Sequence, residues 1–354
     1  MDGNAIILTG DLLNSDFAKT AHGLVRGTER YNILGIIDAK MAGKDGGVLT
    51  DGRHRNIPVF KSISLLKKET QEAINYAVVG VATPGGVIPP ILMNDIKEAI
   101  ASGYAIVSGL HTYLNDNKEV VALAKKHGVE LLDIRKPKPV AALNFWTGRI
   151  KSIKTPIVAV LGTDCALGKR TTARFLRDAM RQQGISSEMI FTGQTGWLQG
   201  GKYGFVFDST LNDFVSGELE HAILECYDEA NPDIIFLEGQ AALLNPSGPC
   251  GSEFIISGNA KGVILQHSPN RKYYKGWEEF DLKIPDIQKN IELIRLYGAT
   301  VLAITLNTTG IDLATAQKHK NEYEGILGLP VILPVEEGVG ALIPVLEKYM
   351  EDYQ

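Results

Sequence analysis

Short apolar runs alternate with segments of helical period along this chain. In the first part the runs fall at residues 5–8, 33–37, 76–81, 105–107 and 130–132, with helical patterns near 16–25, 63–74, 90–101 and 116–127. Runs this short suit strands, and helices between them make βαβ units around a mostly parallel sheet. Several runs end in a polar or glycine-rich corner: Thr9-Gly10, Asp38, Thr83-Pro84-Gly85-Gly86 and Ser108-Gly109. Open α/β sheets bind ligands at such carboxyl ends. The alternation lapses between Ala141 and Lys154, flanked by Pro137, Pro139 and Pro156. Two domains are therefore expected, residues 1–150 and 151–354. In the second, strands are expected at 157–161, 188–191, 234–237, 262–266, 301–306 and 331–333, and helices near 169–183, 212–230, 286–297, 311–322 and 338–350. The fold class is α/β throughout.

Composition narrows the function classes. With 354 residues, 44% hydrophobic and 22% charged, the chain has ample length for cores without staples. A net charge of −5 and the lack of a dense Lys/Arg run argue against a nucleic-acid partner. The three cysteines, Cys165, Cys226 and Cys250, lie far apart, so neither a disulfide framework nor a structural zinc site is expected. No apolar run approaches the roughly 18 residues of a membrane span, and the start, Met1-Asp2-Gly3-Asn4, has no basic leader pattern. A cytoplasmic protein without membrane partners is the expectation.

The strongest chemical signal follows the run 157–161. It reads Gly162-Thr163-Asp164-Cys165-Ala166-Leu167-Gly168-Lys169-Arg170-Thr171-Thr172 and leads into an amphipathic helix. Glycines let successive backbone N–H groups turn inward, and the helix adds its unpaired N–H groups and positive dipole end. Lys169 places a full charge where a phosphate would sit. Cys165 reads as a small residue in a tight bend. Strand, loop and helix come in the order a phosphate-binding P-loop requires. Two departures stand out. Five residues, not four, separate Gly162 from Gly168, and Arg170 stands where a Ser or Thr hydroxyl would meet Mg²⁺. Anion binding is expected at this loop, and no metal.

Other strand ends supply candidates. Glu238-Gly239-Gln240 places a carboxylate where P-loop folds often hold a catalytic or metal-facing acid, or else a helix cap. Thr192-Gly193-Gln194-Thr195-Gly196-Trp197 is rich in glycine and hydroxyls, as a substrate loop or a plain turn would be. Asn307-Thr308-Thr309-Gly310 reads more readily as structure than as a base-recognising loop. His267 is a candidate base, since histidine ordinarily titrates near neutrality, and the planar fork of Arg271 suits a carboxylate. In the first domain no G-x-G-x-x-G follows any strand, so a dinucleotide site is not expected there.

The run from Gly162 to Thr171, with Glu238-Gly239 after a strand, resembles the loop of dethiobiotin synthetases, which has a Gly-Thr-Asp opening and the same gap before Gly-Lys. Gly162 to Thr172, taken with Gly193-Gln194-Thr195-Gly196 and Leu237-Glu238-Gly239-Gln240, more specifically resembles a P-loop family of formerly unknown function that includes the D-glutamate N-acetyltransferases. The likeness covers essentially the whole chain. It implies an N-terminal Rossmann-like domain and a C-terminal P-loop NTPase-like domain. It also implies transfer of acetyl from acetyl-CoA to the amino group of D-glutamate or a related amino acid, with a functional link to an N-acetyl-amino-acid racemase. The cofactor site is then Gly162, Thr163, Asp164, Cys165, Ala166, Gly168, Lys169, Arg170, Thr171 and Thr172. Gly193, Gln194, Thr195, Gly196 and Arg271 would meet a small-molecule substrate, with oxyanion donors among the Gly193–Gly196 amides and Glu238 or His267 as base. A homo-oligomer is expected. The competing readings are an ATP-dependent synthetase or kinase using Mg²⁺, with Thr171 or Thr172 reaching the metal, and a regulatory nucleotide binder.

Overall fold

The computed structural model describes residues 2–353, and of Pro84 the backbone alone; Met1, part of the start read for a leader, lies outside them. Consecutive apolar residues give a strand no polar face, so both sides must be covered, as in parallel sheets flanked by helices. The N-terminal runs are used in this way. They form β1 (Gly3–Leu8), β2 (Tyr31–Ile37), β3 (Val59–Phe60), β4 (Tyr76–Val79), β5 (Ala105–Ser108) and β6 (Leu131–Asp133), in the order β3-β2-β1-β4-β5-β6. All five pairings are parallel. Ala5, Ile6, Ile7 and Leu8 at the centre are wholly buried. The helices are α1 (Lys19–Arg26), α2 (Gly46–Asp51), α3 (Ile63–Glu69), α4 (Pro90–Ala101) and α5 (Lys118–His127). Two of these elements were not read from the sequence: β3, the pair Val59–Phe60, and α2, whose six residues make fewer than two helical turns. Asp45 makes α2 possible by accepting from the Gly47 and Val48 N–H groups.

The second series forms β7 (Ile157–Gly162), β8 (Ser187–Ile190), β9 (Ile234–Glu238), β10 (Gly262–His267), β11 (Thr300–Leu306) and β12 (Val331–Ile332), again all parallel, in the order β12-β11-β10-β7-β9-β8. Its helices run α6 (Lys169–Gln182), α7 (Gln194–Leu198), α8 (Asn212–Ala230), α9 (Ser252–Ile256), α10 (Ile287–Leu296), α11 (Leu313–Leu327) and α12 (Ile343–Asp352). Two six-stranded parallel sheets thus bear out the expected α/β class. No helix among the described residues is long and apolar enough to cross a membrane.

The chain divides into two compact units at Pro137/Lys138, and Gln194–Gly200, with α7, belongs to the first. Residues 138–150, expected to close the first domain, instead pack in the second, and two buried carboxylates on α8 hold them there. Glu218 accepts from Lys138 Nζ (2.7 Å) and from the Asn144 backbone and side-chain nitrogens (2.9 Å each). Glu220 accepts from the Thr147 N–H and hydroxyl and from Ile150 N–H. A buried carboxylate is costly without such donors, so each half of the arrangement requires the other.

Candidate anion-binding site

β7 lies between β10 and β9 in the second sheet, its six residues all buried. After Gly162 the loop passes through two residues of left-handed backbone, Ala166 (φ 52°) and Gly168 (φ 98°). Changes of hand like these aim successive N–H groups into a concave seat for an anion. Gly168 is the N-cap of the 14-residue α6, and no described side chain caps it. A helix start without a side-chain cap keeps its first-turn amides and positive dipole end suited to an anion. Lys169 is buried within the loop and donates to the carbonyls of Asp164 and Ala241, both at 2.7 Å. Burial lowers its ammonium to about 8, against the upward pull of Cys165, Asp164, Cys250 and Glu238.

Asp164 and Arg271, expected against cofactor and substrate respectively, bind each other. Asp164 is fully buried, and its carboxylate accepts from Arg271 Nη1 (2.8 Å), the Lys275 N–H (2.9 Å) and Asn245 Nδ2 (3.2 Å). Arg271 Nη1 also donates to the Cys165 carbonyl at 2.7 Å. The pair ties the loops around residues 245 and 271–275 to the P-loop. The half-buried Cys165 thiol lies 3.7 Å from Asn245 Nδ2.

Thr163 and His267 are likewise brought together. The Thr163 hydroxyl lies 2.8 Å from His267 Nδ1, and the Tyr323 hydroxyl 3.1 Å from His267 Nε2. Burial lowers the imidazole to about 4, with Arg271 and His319 pushing the same way against Asp286. A neutral imidazole has one donor and one acceptor nitrogen, and both are engaged. The ring bridges Thr163 and Tyr323, with no nitrogen left for a substrate amine. Thr172 points away from the loop: its hydroxyl donates to Gln266 Oε1 at 2.6 Å, and the Thr305 hydroxyl donates to the same oxygen at 2.7 Å. Asn307, in the loop read as structural, donates to the Leu167 carbonyl at 3.0 Å.

Glu238 ends β9, in register with Val160 of β7, and is buried. One carboxylate oxygen accepts the Thr192 N–H at 3.0 Å. Burial raises the carboxyl above the usual range, opposed first by the Arg170 charge, then by the Thr192 N–H, Lys169 and the Gly193 N–H. The Gly193 amide, expected as an oxyanion donor, thus serves this carboxylate. The Thr192 hydroxyl donates to the Glu238 carbonyl (2.6 Å) and receives Gln240 Nε2 (2.8 Å). Gln194, Thr195 and Gly196 fold with the first unit. There Gln194 accepts from Arg135 Nη2 at 2.6 Å, and Thr195 lies 3.3 Å from the Thr20 hydroxyl.

P-loop folds commonly hold a nucleotide through Mg²⁺, using the hydroxyl after the lysine and an available carboxylate. Here Arg170 takes the hydroxyl position, Thr172 is committed to Gln266, and Asp164 already accepts from three donors, one of them the Arg271 guanidinium. The donor set does not fit that metal. It does fit a polyanion held by amides and by the charges of Lys169 and Arg170. The sequence reading gave no role to Gln266, Asn245 or Tyr323; Gln266, a polar residue near the end of an apolar strand, carried a local signal, whereas Asn245 in a loop and Tyr323 within α11 carried none.

Residues 144–343 match the DUF1611 domain of unknown function (DUF1611_C), described as a P-loop domain, and residues 39–137 match DUF1611_N, described as a Rossmann-like domain. The chain is 32% identical to a D-glutamate N-acetyltransferase of a Pseudoalteromonas species over 75% of this chain and 79% of that one. It is 31% identical to a D-glutamate N-acetyltransferase of Tritonibacter scottomollicae over 76% of this chain and 80% of that one. A solved DUF1611 family protein from Anabaena variabilis superposes with a TM-score of 0.87 at 27% identity, over 98% of this chain and 99% of that one.

Proposed function

This chain belongs to the DUF1611 family, and from that premise we propose that it is an N-acetyltransferase that moves acetyl from acetyl-CoA to the amino group of D-glutamate or a closely related amino acid. The observation that carries the reading is the juxtaposition, on hydrogen-bonded neighbouring strands, of a cationic anion seat and a buried carboxylate of raised pKa. The names of the two relatives support the choice of donor and acceptor.

In this reading the first-turn amides after Gly168, with Lys169 and Arg170, hold the phosphates of the donor. Bound there, acetyl-CoA supplies an activated acyl group. Acyl transfer then requires a neutral amine, hence a base. Glu238 fits that role: burial raises its proton affinity, while the Thr192 N–H and the nearby cations keep the ionised form accessible. His267 positions Thr163 rather than taking the proton, since both ring nitrogens are engaged.

The test is direct. Purified protein is incubated with acetyl-CoA and a panel of D- and L-amino acids, and free thiol is followed. Thiol release with D-glutamate well above that with L-glutamate is the expected result. Absence of thiol with every amine, together with ADP formation from Mg-ATP, would replace this reading by a synthetase or kinase.

A further inference from the structure

The misfit of the loop to magnesium has a positive counterpart, which rests on the reading of this loop as the seat of the donor's phosphates. Magnesium-dependent P-loops share the phosphate charge between a lysine and a metal, the latter carried by the hydroxyl next to that lysine. In this chain the residue after Lys169 is Arg170, a permanent cation with planar donors suited to phosphate oxygens. A second cation there opposes a divalent ion and supplies part of the charge that the ion would bring. Thr171 is displaced by one residue, about 100° around the helix.

Thr172 is only 2% exposed and hydrogen-bonded at 2.6 Å to Gln266 Oε1, whose other acceptor site takes the Thr305 hydroxyl. Gln266 also accepts the Thr163 N–H through its carbonyl at 3.0 Å. One residue of β10 thus fixes both the start of the loop and the fourth residue of α6. Of the nearby carboxylates, Asp164 already accepts from Arg271, Lys275 and Asn245, and Glu238 accepts the Thr192 N–H.

We propose that this P-loop binds its polyanionic ligand without a divalent cation, with Arg170 in the place of the metal and Gln266 holding Thr172 out of reach of that place. The ligand class is then a pyrophosphate-bearing carrier taken as the free anion, and not a magnesium–nucleoside triphosphate complex.

Titration calorimetry with coenzyme A, and separately with inorganic pyrophosphate, tests this in EDTA and in millimolar Mg²⁺. The wild-type dissociation constant for coenzyme A is expected to agree within about twofold between the two buffers. Pyrophosphate is expected to bind in EDTA and to gain nothing from magnesium. Loss of a charge-assisted contact predicts that Arg170→Thr weakens both probes by at least about tenfold in EDTA, with part of the loss recovered in magnesium. Should that variant fail to fold, Arg170→Lys, which keeps the charge, is expected to bind coenzyme A equally in both buffers. Wild-type binding that tightens about tenfold or more on adding magnesium overturns the proposal, as does an Arg170→Thr protein that binds unchanged in EDTA. If pyrophosphate binds without metal while coenzyme A does not bind, the acetyl-donor reading falls and the metal-free seat stands.

Discussion

Glu238 shows how chemistry and stability pull against each other at a single residue. Its folded-state pKa lies above the unfolded value because of burial. A group shifted in this direction favours folding below its unfolded pKa, and that contribution is lost as pH rises through the folded value. Ionised Glu238 is therefore a burden on the fold at neutral pH, one that its proposed role as base accounts for. Glu238→Gln is expected to lower turnover by roughly 10²–10⁴, the range for loss of a general base, while its thermal midpoint near pH 8 matches or exceeds that of the native protein. Turnover within tenfold of native would remove Glu238 from the mechanism. His267 follows the opposite rule. Its imidazole is depressed to about 4 in the folded protein, so its contribution is fully present above the unfolded value and is lost as pH falls through the folded one. Urea denaturation at about pH 7 and about pH 5 is expected to show that loss beginning, and His267→Gln to flatten the slope. An unchanged slope in the variant would place the acid sensitivity elsewhere.

At the scale of elements, α8 does more than cover a sheet. Glu218 and Glu220 hold residues 138–150 on it, and Gly217 lets that segment press against the helix: a Cβ there would fall inside contact distance of the Asn144 carbonyl oxygen. Gly217→Ala trades a gain in helix propensity for a backbone collision. It is expected to destabilise by about 1–3 kcal/mol, the usual cost of overpacking, as read from a denaturant midpoint. An unchanged or raised midpoint would show that the segment yields freely. The carboxylates on α8 also explain why the domain boundary was misread. Composition and prolines mark where regular structure stops, and they do not reveal to which core the irregular stretch is fastened. The long helices were legible where the six-residue α2 was not, because a helical period needs length.

At the scale of the whole molecule, two parallel sheets and a phosphate loop were readable because each follows from local pattern: buried runs, intervening helices, and glycines placed between strand and helix. The internal wiring of the site was not. Asp164 pairing with Arg271, Thr172 with Gln266, and His267 with Thr163 join residues between 94 and 107 positions apart, and nothing local in the sequence encodes such partners. The assignment of Gln194–Gly196 to the first unit is a long-range outcome of the same kind. The proposed seat, by contrast, is written in contiguous residues: its glycine, its lysine and the amides that follow. The most direct test of that seat is a crystal structure of this protein with coenzyme A bound. The account predicts phosphate oxygens within hydrogen-bonding distance of the amides after Gly168 and of Lys169 Nζ. Coenzyme A bound elsewhere, with that bend empty, would contradict it.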